Sequence, residues 1–167
     1  MSSSTPTIRQ VNYLAVIPQI AILFAFILIY RTLGFKFYLG MGAITYLMLS
    51  YLLRFLLPLE HRKGILQIQK NNFQDAIPHF EKSFAFFQER LWLDKYRWLT
   101  MLSSSRISYQ EMALVNIAFC YTQIGEGKKG EEYYEKTLEL FPDSQIAQSG
   151  LRMLRSTQSS KEQAENS

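Results

Sequence analysis

The sequence predicts an all-α protein, an N-terminal two-helix transmembrane hairpin followed by a short stack of helix pairs and a closing helix. Two observations predict the hairpin and a third the stack. Val11 to Tyr30 and Phe37 to Leu53 carry no charge, and only the six residues Arg31 to Lys36 separate them. Glu111 to Ser144 reads as a helix, a glycine-marked turn and a second helix.

Composition bounds the answer before any element is placed. The 167 residues suit roughly one domain, and an apolar fraction of 48% excludes a disordered or collagen-like chain. The single Cys120 cannot close an internal disulfide, and no Cys/His cluster has zinc-ligand spacing. The net charge of +4 is unevenly spread. Up to Pro58 the charged side chains are Arg9, Arg31, Lys36 and Arg54, all basic, whereas from Leu59 onward 14 basic residues balance 14 acidic ones. The basic character therefore belongs to the apolar front end, and a nucleic-acid partner is not expected.

A polar tail, 1–10, precedes the first span. The 20 uncharged residues 11–30 make a helix of about 30 Å, the thickness of a bilayer core. Pro18 near the start and the single amide Gln19 are both tolerated in a membrane helix. The second span covers 37–57, with Arg54 snorkelling to the interface. Gly34 supplies the turn between them. A cleavable signal peptide fits less well, because the apolar core is too long and no Ala-x-Ala-like site follows it. A buried helix pair of a soluble domain fits poorly too, since Ile20 to Tyr30 has no polar face. Arg9, Arg54, Arg62, Lys63 and Lys70 flank the outer ends against Arg31 and Lys36 in the loop, so both termini and the helical domain are expected in the cytoplasm. With no Asp, Glu, His or Lys in either run, nothing marks an ion or proton path. Gly40, Gly42 and Ala43 form a small-residue patch suited to close packing within the hairpin. A homo-oligomer is the further association that such a patch allows.

The helical domain, 58–155, is built on a repeat. Glu111 to Ser144 places Leu114, Ile117, Ala118 and Tyr121 on one helix, Gly130 and Tyr134 on the next, and Pro142 at the end. This closely resembles a tetratricopeptide repeat, a 34-residue helix-turn-helix unit with a Trp-x2-Leu-Gly-x2-Tyr, Ala-x3-Phe, Pro pattern. Leu114 stands for the Trp, Ala118 for the Gly and Gly130 for the Ala. Small residues let the two helices approach while each aromatic fills the space beside them. Ser108 and Glu111 have capping-box spacing, Gly125 and Gly127 mark the turn, and Ser144 can cap the next helix. A weaker copy over 57–88 keeps the spacing with Gly64, Ala76 and Phe80, but Lys63, Gln67 and Gln88 depart from the pattern. The 54 residues from Phe80 to Tyr134 equal one period plus a 20-residue insertion.

That insertion, 88–110, is aromatic: Leu91, Trp92, Leu93, Tyr96, Trp98, Leu99, Met101 and Leu102. Asp94 could cap a short helix through Leu102, before the loop of Ser103, Ser104 and Ser105. Three destinations stay open for the aromatics: the core, the bilayer surface, or a partner. After Pro142, Ile146, Ala147, Gly150, Leu151 and Leu154 repeat at helical spacing, as a capping helix over 145–155 requires. From 156 to 167 the polar tail is expected to be disordered. Two repeats fall short of the three usually needed, so the insertion, the end helix or the membrane must complete the contact surface.

No catalytic or cofactor-binding constellation is recognisable. His61 and His79 are the only histidines, Cys120 reads as a buried packing thiol, and GEGKKG lacks phosphate-loop spacing. Glu131, Glu132, Glu135 and Glu139 read as a solvated helix face. The expected role is non-enzymatic and without a cofactor. The tetratricopeptide resemblance implies a protein-binding module whose groove is lined by the first helix of each repeat. On this sequence those positions are His61, Ile65 and Ile68, then Met112, Val115, Asn116, Phe119 and Thr122. Arg62 and Asn116 alone do not make the carboxylate clamp of the chaperone-binding subset, and the apolar lining suits a peptide or amphipathic helix. The implied function is a membrane-anchored adaptor or scaffold that recruits or assembles partner proteins. The alternative is a structural small subunit of an oligomeric membrane complex.

Overall fold

The computed structural model describes residues 16–97, 105 and 107–165. Among the described residues the regular structure is helical: α1 Val16–Thr32, α2 Tyr38–Leu56, α3 Leu59–Gln69, α4 Phe73–Glu89, α5 Leu91–Lys95, α6 Tyr109–Gln123, α7 Gly127–Leu140 and α8 Gln145–Glu165. They fall into two units. One holds α1, α2 and α5; the other holds α3, α4, α6, α7 and α8.

α1 and α2 pack against each other. Pro18 occupies the first turn of α1, where an amide hydrogen would have no helical partner. α1 ends in a left-handed cap at Gly34, φ 79°. The Gly34 amide donates to the Arg31 carbonyl at 3.1 Å and the Phe35 amide to that of Tyr30 at 3.2 Å, the bonding of a Schellman turn. The hydroxyls of Tyr30 and Thr45 then share a hydrogen bond of 3.0 Å across the pair. Gly42 makes the closest approach, since a Cβ there would lie 2.9 Å from both the backbone nitrogen and the Cα of Ile27. Gly40, two residues earlier, meets nothing within 4 Å. Of the small patch, Gly42 serves the pair and Gly40 does not.

α2, with 19 residues, is long and apolar enough to cross a membrane. α1 is apolar but has 17 residues, about 26 Å. Residues 11–15 of the expected first span lie outside the described residues. No residue of α1 is buried, and in α2 only Gly42 and Ser50 are. Ile17, Phe24, Leu28, Ile44, Leu47, Met48 and Tyr51 are all exposed.

The second unit is a succession of antiparallel helices, each packed on the next. α3 and α4 close through Gly64, where a Cβ would sit 2.8 Å from the Phe80 ring. α6 and α7 close through Gly130, lying against the Ala118 carbonyl and the Thr122 hydroxyl. Each pair turns through a left-handed residue, Asn71 at φ 60° and Gly125 at φ 85°. Both turns repeat the Schellman bonding: Asn72 and Glu126 amides donate 2.9 Å bonds to the carbonyls of Gln67 and Tyr121. Asn tolerates this conformation where most side chains do not.

One core cluster unites Ala76, Ile77 and Phe80 with Ala113, Ile117 and Cys120, so α4 packs on α6. At the other end of that contact Phe87 stacks on Tyr109 at 4.8 Å, and the Gln110 amide donates to the Phe87 carbonyl. A second cluster joins Ala118 and Tyr134 to Ala147, Leu151 and Leu154 of α8. Ser144 caps α8, accepting the Ala147 amide on its hydroxyl at 3.3 Å. Where the sequence suggests a helix over 145–155 and a disordered tail, α8 continues to Glu165. Glu131 and Glu135 are also more than a solvated face, because Arg155 bridges both, at 2.7 and 2.6 Å.

The insertion departs from expectation as well. Asp94 lies inside α5 and is 2% exposed instead of capping a helix at its start. Arg97 donates to the Asp94 carbonyl at 2.8 Å and, through Nε, to the Ser105 carbonyl at 2.9 Å. Residues 98–102 of the helix expected from Asp94 through Leu102, with Trp98, Leu99 and Met101, lie outside the described residues, as do Ser103 and Ser104.

Candidate functional site: an apolar face on α3, α4 and α6

The groove positions implied by the repeat are carried by α3 and α6. Ile65 and Ile68 are half-buried and rest on the first core cluster, as does Phe73 at the start of α4. Phe119 is 36% exposed and meets Phe73 edge-on at 5.9 Å. Phe73 thus brings Phe119 of α6 beside the core on which the α3 isoleucines also rest. Met112 and Asn116 are half-buried on α6, while Val115 leans on the second cluster against α8.

Two expected groove residues point elsewhere. His61 is 6% exposed, with Phe80 and Tyr109 edge-on to its ring at 5.2 and 5.3 Å. The Tyr109 ring covers it from α6, so it is a core group. Thr122 donates to the Ala118 carbonyl at 2.9 Å and faces Gly130, which assigns it to the α6–α7 contact. Phe73 is the residue missing from the sequence reading of the groove. Its signal lay in its position, the first apolar residue after the α3–α4 turn and before Ala76 and Ile77.

Electrostatics follow burial. Desolvation lowers the His61 pKa to about 4, and its Nδ1 lies a long 3.4 Å from the Ser83 hydroxyl. Burial likewise pushes the Cys120 thiol up to about 11, far from a reactive thiolate. Glu60 is held below the usual carboxylate range by hydrogen bonds from Lys63 at 2.6 Å and His79 at 2.8 Å. Among the described residues no three His, Cys, Asp or Glu side chains gather to share a metal ion.

A neutral buried histidine makes the domain sensitive to acid. The folded state resists protonating His61, so its contribution is complete above the ordinary histidine pKa of about 6.5 and declines as pH falls toward 4. Between pH 6.5 and pH 5 the loss should reach about 2 kcal/mol. Denaturant midpoints of the full chain at the two pH values check this, and His61→Phe should remove most of the difference. The Glu60 contribution is lost in a lower window, as that carboxylate protonates below its ordinary value.

Comparison with protein-family models, with curated proteins and with solved structures finds no match.

Proposed function

We propose that this protein is a membrane-anchored adaptor: a two-span hairpin formed by α1 and α2 holds a tetratricopeptide-like helical domain at the cytoplasmic face, and an apolar groove on that domain captures a partner helix or peptide. The observation that carries the reading is the opposite placement of apolar side chains in the two units. In the α1–α2 pair they are outside, around a helix long enough to span, as lipid demands. In the other unit apolar side chains close two cores, and half-buried Ile65, Ile68 and Phe73 rest on the first of these, with exposed Phe119 against Phe73.

Three further facts support it. The uncharged residues 11–15 continue the α1 run, and tilt or local thinning accommodates a span near the lower length limit. The small-residue and aromatic contacts recur at the 54-residue offset, Gly64 with Phe80 and Ala118 with Tyr134, and so do the left-handed turns at Asn71 and Gly125. Arg and Lys are more numerous outside the hairpin loop than in it. Tethering at a bilayer raises the effective concentration of membrane partners without adding a contact.

A photoreactive residue at Phe119, with a control at exposed Glu132, tests this in the native membrane. A discrete protein captured at Phe119 alone is the expected result, and with the photoreactive residue moved to half-buried Met112, Phe119→Glu should abolish capture while membrane insertion is unchanged. Capture that survives Phe119→Glu would remove the groove. Equal labelling at both sites, or self-crosslinks only, would favour the small subunit of an oligomeric complex.

A further inference from the structure

α5 is built inside out. At about 100° per residue its positions divide into two faces, and the helical bonding extends beyond Lys95, since the Tyr96 amide donates to the Trp92 carbonyl at 3.0 Å. Leu93 and Asp94 face inward, with Asp94 2% exposed and the Arg97 guanidinium 3.7 Å from its carboxylate. Leu91, Trp92 and Tyr96 face outward and are 59%, 58% and 45% exposed. A short helix on a water-facing surface buries its tryptophan along with its leucines and hydrates its aspartate and arginine. Here the polar pair is inside and the aromatic side chains are outside.

From this inversion we infer that the outward face of Leu91, Trp92 and Tyr96 docks into the interfacial layer of the same bilayer that holds the hairpin, a third membrane contact beyond the two spans. The inference rests on the reading of the hairpin as membrane-embedded. Two observations favour lipid over a protein partner. α5 belongs to the compact unit that contains α1 and α2, although 33 residues of the other unit, Pro58 to Arg90, intervene in the sequence. That unit is the one whose helices α1 and α2 expose apolar side chains. The chemistry also suits the interface: Trp and Tyr combine an apolar body with a polar tip, and Lys95, 5.8 Å above the Tyr96 ring, can extend its ammonium to the headgroups. Of the three destinations open to the insertion aromatics, Leu93 takes the core and Leu91, Trp92 and Tyr96 take the membrane surface.

The test is depth-resolved fluorescence quenching. The full chain with Trp98→Phe, leaving Trp92 as sole tryptophan, is reconstituted in vesicles of phosphatidylcholine and phosphatidylglycerol brominated at shallow or deep chain positions. A second chain, Trp92→Phe and Trp98→Phe with Phe24→Trp, reports the exposed face of α1. Trp92 should be quenched at least about twofold more by shallow bromines than by deep ones, while Phe24→Trp is quenched more by deep bromines. Quenching of Phe24→Trp but not of Trp92 would overturn the α5 contact and leave the hairpin reading intact, even if Trp92 proved shielded from an aqueous quencher by protein. Deep quenching of Trp92 would also overturn it. Quenching of neither would remove both readings. A nitroxide on Leu91→Cys repeats the measurement with Trp98 in place, because buried Cys120 will not compete for the label; collision with oxygen should then exceed collision with an aqueous nickel chelate, and the opposite order would overturn the contact.

Discussion

Phe80→Ala is expected to lower the stability of the helical domain by about 3–5 kcal/mol, a large share of what holds a domain this size together. The ring is fully buried and fills the space that Gly64 leaves on α3. A cavity left there has little means of closing, because the facing residue, Gly64, has no side chain to move into it and His61 stays held against the Tyr109 ring. The loss therefore includes both the transfer of the ring and the unfilled volume. Urea denaturation of the full chain in micelles, followed by amide exchange in α3 and α4, measures it. Phe86→Ala, at a half-buried position on the same helix, should cost clearly less. A loss below about 1.5 kcal/mol for Phe80→Ala would mean that α3 and α4 are not closed around this ring.

Gly42→Leu should separate α1 from α2, whereas Gly40→Leu should leave them paired. At position 42 an added side chain meets the Ile27 backbone, which no change of rotamer can clear. At position 40 the same side chain enters open space. In the hairpin proposed above, the hydrophobic effect would contribute little between helices in lipid, so association would depend on close packing and on bonds such as that between Tyr30 and Thr45. Overpacking costs about 1–3 kcal/mol in a core, enough to shift a helix pair largely to the open state. Cysteines at Tyr30 and Thr45 joined by a short bis-maleimide read the pairing. Their crosslinking rate should fall roughly 10-fold with Gly42→Leu and be unchanged with Gly40→Leu. Equal rates in both would place the helix contact elsewhere.

Much of the helical plan was legible because its determinants are local. The expected second span, 37–57, and the observed Tyr38–Leu56 differ by one residue at each end, since charge and apolar run length mark a helix of that kind directly. The glycine turns at Gly34 and Gly125 could be located for the same reason. Asn71 carries the equivalent left-handed turn between α3 and α4 without glycine, so no glycine marked that turn in the sequence. His61 and Thr122 were assigned to the groove by register alone. Register does not reveal that Tyr109 covers one or that Gly130 draws in the other. The insertion was least legible, because a helix of five residues is too short for periodicity to separate its faces. The extension of α8 to Glu165 was hidden by composition: its last five residues, Lys161 to Glu165, are Lys, Glu, Gln and Ala, low in hydropathy yet high in helix propensity.

The packing of each helix on its successor also sets a time course. Contacts between neighbours in sequence give a low contact order, and helical domains of that kind fold in microseconds to milliseconds, faster than a ribosome adds one residue. α3 and α4 can therefore pair as soon as both have emerged. The face of α4 that bears Ala76 and Ile77 must then await α6, because Ala113, Ile117 and Cys120 cover it and the insertion is synthesised in between. At about 5–20 residues per second that interval lasts on the order of seconds, during which the nascent chain carries an uncovered apolar surface.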